Sequence, residues 1–106
     1  MLKASLSTFL DNKNQTFYLF NVDSEEVRYS IPLNVSELII LESGIDGCLY
    51  QNITDLQLEF CKFNMDERKN YLTLSFITQV PMLSFKLQKA EISRVLQEIK
   101  KILSSI

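Results

Sequence analysis

The chain has 106 residues, of which 46% are hydrophobic and 23% charged, and its net charge is −2. That length fits one domain and can bury roughly two-thirds of the surface its unfolded form exposes. The composition excludes intrinsic disorder, which needs low hydrophobicity and high net charge, and the absence of histidine removes the commonest general base and metal ligand at once.

In chain order, Leu2, Ala4 and Leu6 alternate with Lys3, Ser5 and Ser7, a half-buried strand pattern. After the polar break Asp11-Asn12-Lys13-Asn14-Gln15, the run Thr16–Val22 is apolar on both faces and reads as a central, doubly covered strand. Asp23-Ser24-Glu25-Glu26 is the second break. Val27, Tyr29 and Ile31 then alternate with Arg28 and Ser30, and Pro32 is expected to end the pairing.

Val35–Glu42 is ambiguous. Asn34 or Ser36 could cap a helix, while Leu38-Ile39-Ile40-Leu41 could equally be a buried strand, because periodicity cannot settle so short a run. Ser43-Gly44-Ile45-Asp46-Gly47 holds both glycines and reads as a turn. Leu56, Leu58 and Phe60 alternate with Gln57, Glu59 and Cys61 in the cleanest period-two pattern of the chain. Asn64 to Asn70 is the fourth break. Leu72, Leu74 and Phe76, then Leu83, Phe85 and Leu87, alternate with polar neighbours.

The end of the chain is unambiguous. Ile92, Val95, Leu96, Ile99, Ile102, Leu103 and Ile106 draw one apolar stripe on a helix of 3.6 residues per turn. Arg94 and Glu98 form an i,i+4 pair, with Glu91 early and Lys100 and Lys101 late, as the helix dipole prefers.

These elements predict an α+β domain: an antiparallel sheet of about seven strands over residues 1–88, closed by one amphipathic C-terminal helix over residues 89–106. The strand count and closing helix resemble the layout of pleckstrin-homology-like domains, which would curl the sheet into a barrel or half-barrel. The resemblance is one of layout over the whole chain and has no motif behind it. Domains of that kind usually carry a Trp in the final helix and this chain has none; their lipid-binding members place several bases in the first hairpin loop, where this chain has only Lys13 beside Asp11.

No unbroken apolar stretch stands near the start, and the longest apolar run, Leu38–Leu41, is far shorter than the ~20 residues that span a bilayer. The expectation is a cytoplasmic protein with no membrane insertion. Cys48 and Cys61 form no C-x-x-C pair and read as two core thiols. With no histidine, a metal site is not expected, and no cofactor motif occurs: Gly44 and Gly47 are isolated and no Lys follows them. The adjacent acids Glu25 with Glu26, and Asp66 with Glu67, sit in expected turns. They leave a minimal carboxylate-based enzyme as a distant alternative, and the expectation is a non-enzyme with no catalytic residues.

One feature is uneven. Between Asp23 and Glu59 the acids are Asp23, Glu25, Glu26, Glu37, Glu42, Asp46, Asp55 and Glu59, against the single base Arg28, a local charge of −7. From Lys62 onward the balance is +4. Either the two halves interleave and cross-pair, or the middle third forms an acidic face that steers a basic protein towards it and discourages nucleic acid. The second reading predicts a small inhibitor or immunity-type protein that covers a basic site on its partner with Asp23, Glu25, Glu26, Glu42 and Asp46. The alternative is a pleckstrin-homology-like adaptor or assembly subunit, binding through an edge strand or the helix. Apolar residues on the wetter side of the strands, Tyr29, Tyr71 and Ile77 among them, leave room for a homodimer.

Overall fold

The computed structural model describes residues 2–106. Its order is β1 (Lys3–Leu10), β2 (Thr16–Asp23), β3 (Arg28–Leu33), α1 (Val35–Tyr50), β4 (Asp55–Leu58), β5 (Cys61–Met65), β6 (Tyr71–Phe76), β7 (Leu83–Gln88) and α2 (Lys89–Ser104). The fold is α+β with antiparallel strands and a C-terminal helix, as expected. The strands form two sheets, β1-β2-β3 and β4-β5-β6-β7, rather than one, and neither closes into a barrel. A helix stands between the sheets in sequence, so the pleckstrin-homology-like layout of consecutive strands does not hold.

That helix covers both segments the sequence left open or misread. Asn34 caps it: its side chain accepts from the Glu37 N–H at 2.8 Å, and the Glu37 carboxylate accepts from the Asn34 N–H at 3.0 Å. The helix then runs straight through Ser43–Gly47. The two glycines are not a turn but places where the helix lies close to its neighbours. A Cβ on Gly44 would sit 2.1 Å from the Phe63 ring of β5, and one on Gly47 would sit 3.0 Å from Ile53. Asn52, at φ 58°, turns the chain out of the helix, the left-handed geometry that follows many helix ends.

The expected strand at 56–61 is a hairpin. Leu58 pairs with Cys61 across a two-residue turn, with Glu59 at φ 44°, the positive φ that such tight turns demand. β3 also extends through Pro32, which lies opposite Leu19.

Each sheet buries one face. Ala4, Tyr18, Phe20, Val22, Ile31 and Leu33 are the buried hydrophobic residues of the first, and Cys61, Phe63, Met65, Leu72, Leu74, Phe76, Phe85 and Leu87 those of the second. The inner faces meet through Phe20 on Phe76 (5.6 Å between ring centroids) and Tyr29 on Phe85 (5.5 Å). The helices fill the remaining core with Leu38, Leu41, Ile45 and Cys48 from α1 and Ile92, Val95, Leu96 and Ile99 from α2. Full burial of such aliphatic side chains contributes ~1.5–3 kcal/mol each.

The hydrogen-bond phase of the first sheet fixes which backbone groups face outward. The N–H of Ala4 donates to Glu91 Oε1 at 2.8 Å, and its carbonyl accepts from Arg94 Nη2. Both groups of Ala4 therefore point away from β2, towards α2. By the alternation of an antiparallel ladder, Leu6, Thr8 and Leu10 also point outward, and Ser5, Ser7 and Phe9 bond to β2. The Asp11 N–H donating to the Gln15 carbonyl at 3.0 Å continues the same phase. On the far side, the Ser24 N–H bonds to the Val27 carbonyl, so the even residues of β2 bond to β3. Pro32 then carries its missing N–H on the free edge of β3, where no ladder bond is lost. Thus the proline lies within the strand instead of ending it.

Candidate partner-binding surfaces

The five acids singled out in the sequence fall into two groups. Asp23, Glu25 and Glu26 belong to the β2–β3 hairpin. Asp23 ends β2 and takes a two-point bond from Arg28, Nε to Oδ1 at 2.5 Å and Nη2 to Oδ2 at 3.1 Å. That pairing raises the Arg28 pKa further above its ordinary value, through the hydrogen bond and then the charge of Asp23. Glu25 and Glu26 occupy the tip, where they line a shallow depression with Ser24 and Val27. The tip is tied within itself. The Ser24 N–H donates to the Val27 carbonyl at 2.9 Å, and the Val27 N–H donates to Ser24 Oγ at 3.1 Å. Both glutamates are exposed, and among the described residues neither has an ion-pair partner.

Glu42 and Asp46 are one turn apart on α1, and both reach Lys100 of α2, at 3.2 and 3.3 Å. Their hydrogen bonds, Glu42 first, raise the Lys100 pKa. This is a cross-pairing of the acidic middle with the basic end of the chain, and it joins the two helices. No hydrogen bond or ion pair among the described residues joins this seam to the hairpin tip.

The sequence reading missed a second surface. The residues of the first sheet that alternate with the core set face away from it. Phe9, Phe17, Leu19 and Pro32 cluster there, with Phe9 stacked on Phe17 at 5.5 Å. Beside them Asn21, buried at 3% exposure, donates to Ser7 Oγ at 3.1 Å and accepts from Ser30 Oγ at 2.7 Å, which links all three strands. The signal was present in the apolar character of both faces of Thr16–Val22. That character predicts cover on both faces, yet β2, though central, leaves Phe17 and Leu19 half-buried. Tyr71, Tyr29 and Ile77, by contrast, lie apart from this cluster: Tyr29 packs on Phe85 of the core, and Tyr71 lies under Lys86 at 4.7 Å.

The remaining chemistry is sparse. Cys48 and Cys61 are free and fully buried. Burial pushes both thiols up, Cys61 to about 12, far from nucleophilic range. Among the described residues no group of His, Cys, Asp and Glu could hold a metal ion, and no helix is long and apolar enough to cross a membrane. No family model matches this chain, and none of the curated proteins does.

Proposed function

We propose that this chain is a non-enzymatic protein-binding domain of inhibitor or immunity type, which presents the acidic tip of its β2–β3 hairpin to a basic site on a partner protein. The observation that carries the reading is the state of Glu25 and Glu26. They are adjacent, exposed and, among the described residues, without ion-pair partners, on a loop held in shape by Ser24 and by the Asp23–Arg28 pair at its base. A tip ordered in advance costs less to immobilise on binding, and adjacent carboxylates attract a basic partner at long range. Asp23 then stiffens the tip, while Glu42 and Asp46 hold α2 rather than a partner.

The test is capture of basic proteins by the wild type and by the double variant E25K/E26K, at low and at high salt. Retention that falls with salt and is lost in the double variant, with circular dichroism and Tm unchanged, is the expected result. Equal retention by both forms excludes the tip, and no retention at low salt excludes a basic partner.

A second reading, an assembly subunit binding through the first sheet, is favoured by the Phe9–Phe17–Leu19–Pro32 cluster. An apolar interface keeps its partner at high salt.

A further inference from the structure

The two sheets have four edge strands, β1, β3, β4 and β7. Open edges invite pairing with other chains, and proteins blunt them with charge, proline, short length or cover. Three edges carry such devices. β3 has Arg28 and Pro32 on its outward-bonding positions. β4 is four residues long and begins with Asp55. β7 carries Lys86 midway. The fourth edge is treated in two halves. At Ala4, α2 occupies the edge through Glu91 and Arg94. From Leu6 to Leu10 there is no charge and no proline, and among the described residues no hydrogen bond reaches the outward N–H and C=O groups of Leu6, Thr8 and Leu10. Phe9 (37% exposed) and Leu10 (64%) stand on this stretch.

We infer that the occupant of this edge is a second copy of the same chain, added antiparallel along Leu6–Leu10 to give a continuous six-stranded sheet. The open stretch is its own complement. Outward-bonding residues must meet outward-bonding residues, so a two-fold axis at Thr8 sets Thr8 opposite the partner's Thr8 and Leu6 opposite the partner's Leu10. About six main-chain hydrogen bonds form from these three pairs. The partner strand ends opposite Leu6, two residues short of Ala4, where α2 begins to occupy the edge; it fills the open length and no more.

The side chains agree with that register. Thr opposite Thr is a favourable cross-strand pair. The exposed Leu10 gains the half-buried Leu6 of the other copy. On the outer face, Phe9 lies diagonal to the partner's Phe9, ~7–8 Å apart by sheet geometry, so the Phe9–Phe17 stack continues across the axis. Asp11, just past Leu10, comes opposite the partner's Ser5 and lies outside the open stretch. None of this uses Glu25 or Glu26, so the dimer and the tip stand or fall separately.

The test is the solution mass of the purified chain, by sedimentation or light scattering, over a range of concentrations. The expected mass is twice the 12.3 kDa of the chain. Thr8→Pro removes one outward N–H and no bond of the β1–β2 ladder, so it should give a folded monomer. Thr8→Lys and Thr8→Glu, each setting like charges opposite one another at the axis, should each be monomeric, and mixing the two should restore the dimer mass. Gln57→Lys, on the β4 edge, should leave the dimer intact, as should E25K/E26K. A monomer at every concentration up to ~1 mM, the range of very weak association, overturns the inference, as does a dimer that persists in Thr8→Pro and Thr8→Lys. A dimer lost in each single variant and not restored by mixing overturns the two-fold axis at Thr8.

Discussion

The two sheets share one core, yet they treat their outer faces in opposite ways. The second turns Lys62, Thr73, Ser75, Ser84 and Lys86 outward, with Ser84 bonded to Ser75 at 2.8 Å, an ordinary solvated face. The first turns out Phe9, Phe17, Leu19 and Pro32 around a buried Asn21. The difference teaches that a strand apolar on both faces need not be covered on both. A face that stays apolar where water reaches it points to contact with something else. The sheets also differ in how their helices hold them. α1 comes so close to the second sheet that Gly44 touches the Phe63 ring, whereas α2 grips the first sheet by polar bonds to Ala4.

The largest effect should come from that close approach. Gly44→Val should destabilise the fold by ~1–3 kcal/mol or more, since the added carbons must displace a fully buried ring. Gly44→Ala is the sharper form. In a freely exposed helix it would stabilise by ~1 kcal/mol; here denaturant titration should show a loss. If Gly44→Ala is neutral or better, the helix does not press on the sheet as described.

On the first sheet, Asn21→Ala should cost about 1 kcal/mol, because it removes two hydrogen bonds and leaves a gap in the middle of the face. Thr73→Ala on the second sheet should stay within ~0.5 kcal/mol, as surface changes do. Equal costs for the two would erase the contrast between the faces.

The polar grip of α2 has a pH signature. Burial pushes the Glu91 carboxyl up, but the Ala4 N–H and Arg94 more than offset it, and its folded pKa lies below the ordinary 4.5. A carboxyl depressed in the folded state adds stability above its unfolded pKa and loses it as pH falls through the folded value. Tm of the wild type should therefore drop through that acid range, and Glu91→Gln should flatten this part of the curve. The same acid limb in both proteins would assign the effect to other carboxylates. The smallest effect belongs to Lys100. Its bonds to Glu42 and Asp46 lie at the surface, and Lys100→Met should leave Tm almost unchanged. A large fall would mean that the seam between the helices matters more than its exposure implies.

These contrasts also show where the sequence was readable. The C-terminal helix was, because Ile92, Val95, Leu96 and Ile99 mark one face with polar residues around the rest. The seven strands were readable wherever alternation ran uninterrupted, as at Leu72–Phe76. α1 was not, because its buried side is built partly from Gly44 and Gly47, and absent side chains leave no stripe to count. The β4–β5 turn was hidden because Glu59, rather than Gly or Asn, takes the positive φ, and Phe60 in the turn continues the apolar alternation. The acidic middle third was visible as a charge count. That Lys100 would meet two of its members was not, since the pairing joins elements more than fifty positions apart in sequence.

The bond from Ala4 to Glu91 spans 87 positions of the chain. A ribosome adding ~5–20 residues per second needs roughly ten seconds to bridge that interval. Through that time the N-terminal hairpin exists without the helix that later clasps its edge. A nascent chain would thus hold Lys3–Leu10 bare along its whole length, and each growing copy on a shared messenger is a neighbour carrying the same sticky strand. The late arrival of Glu91 and Arg94 thus leaves newborn chains open to sticking to one another until synthesis is nearly complete.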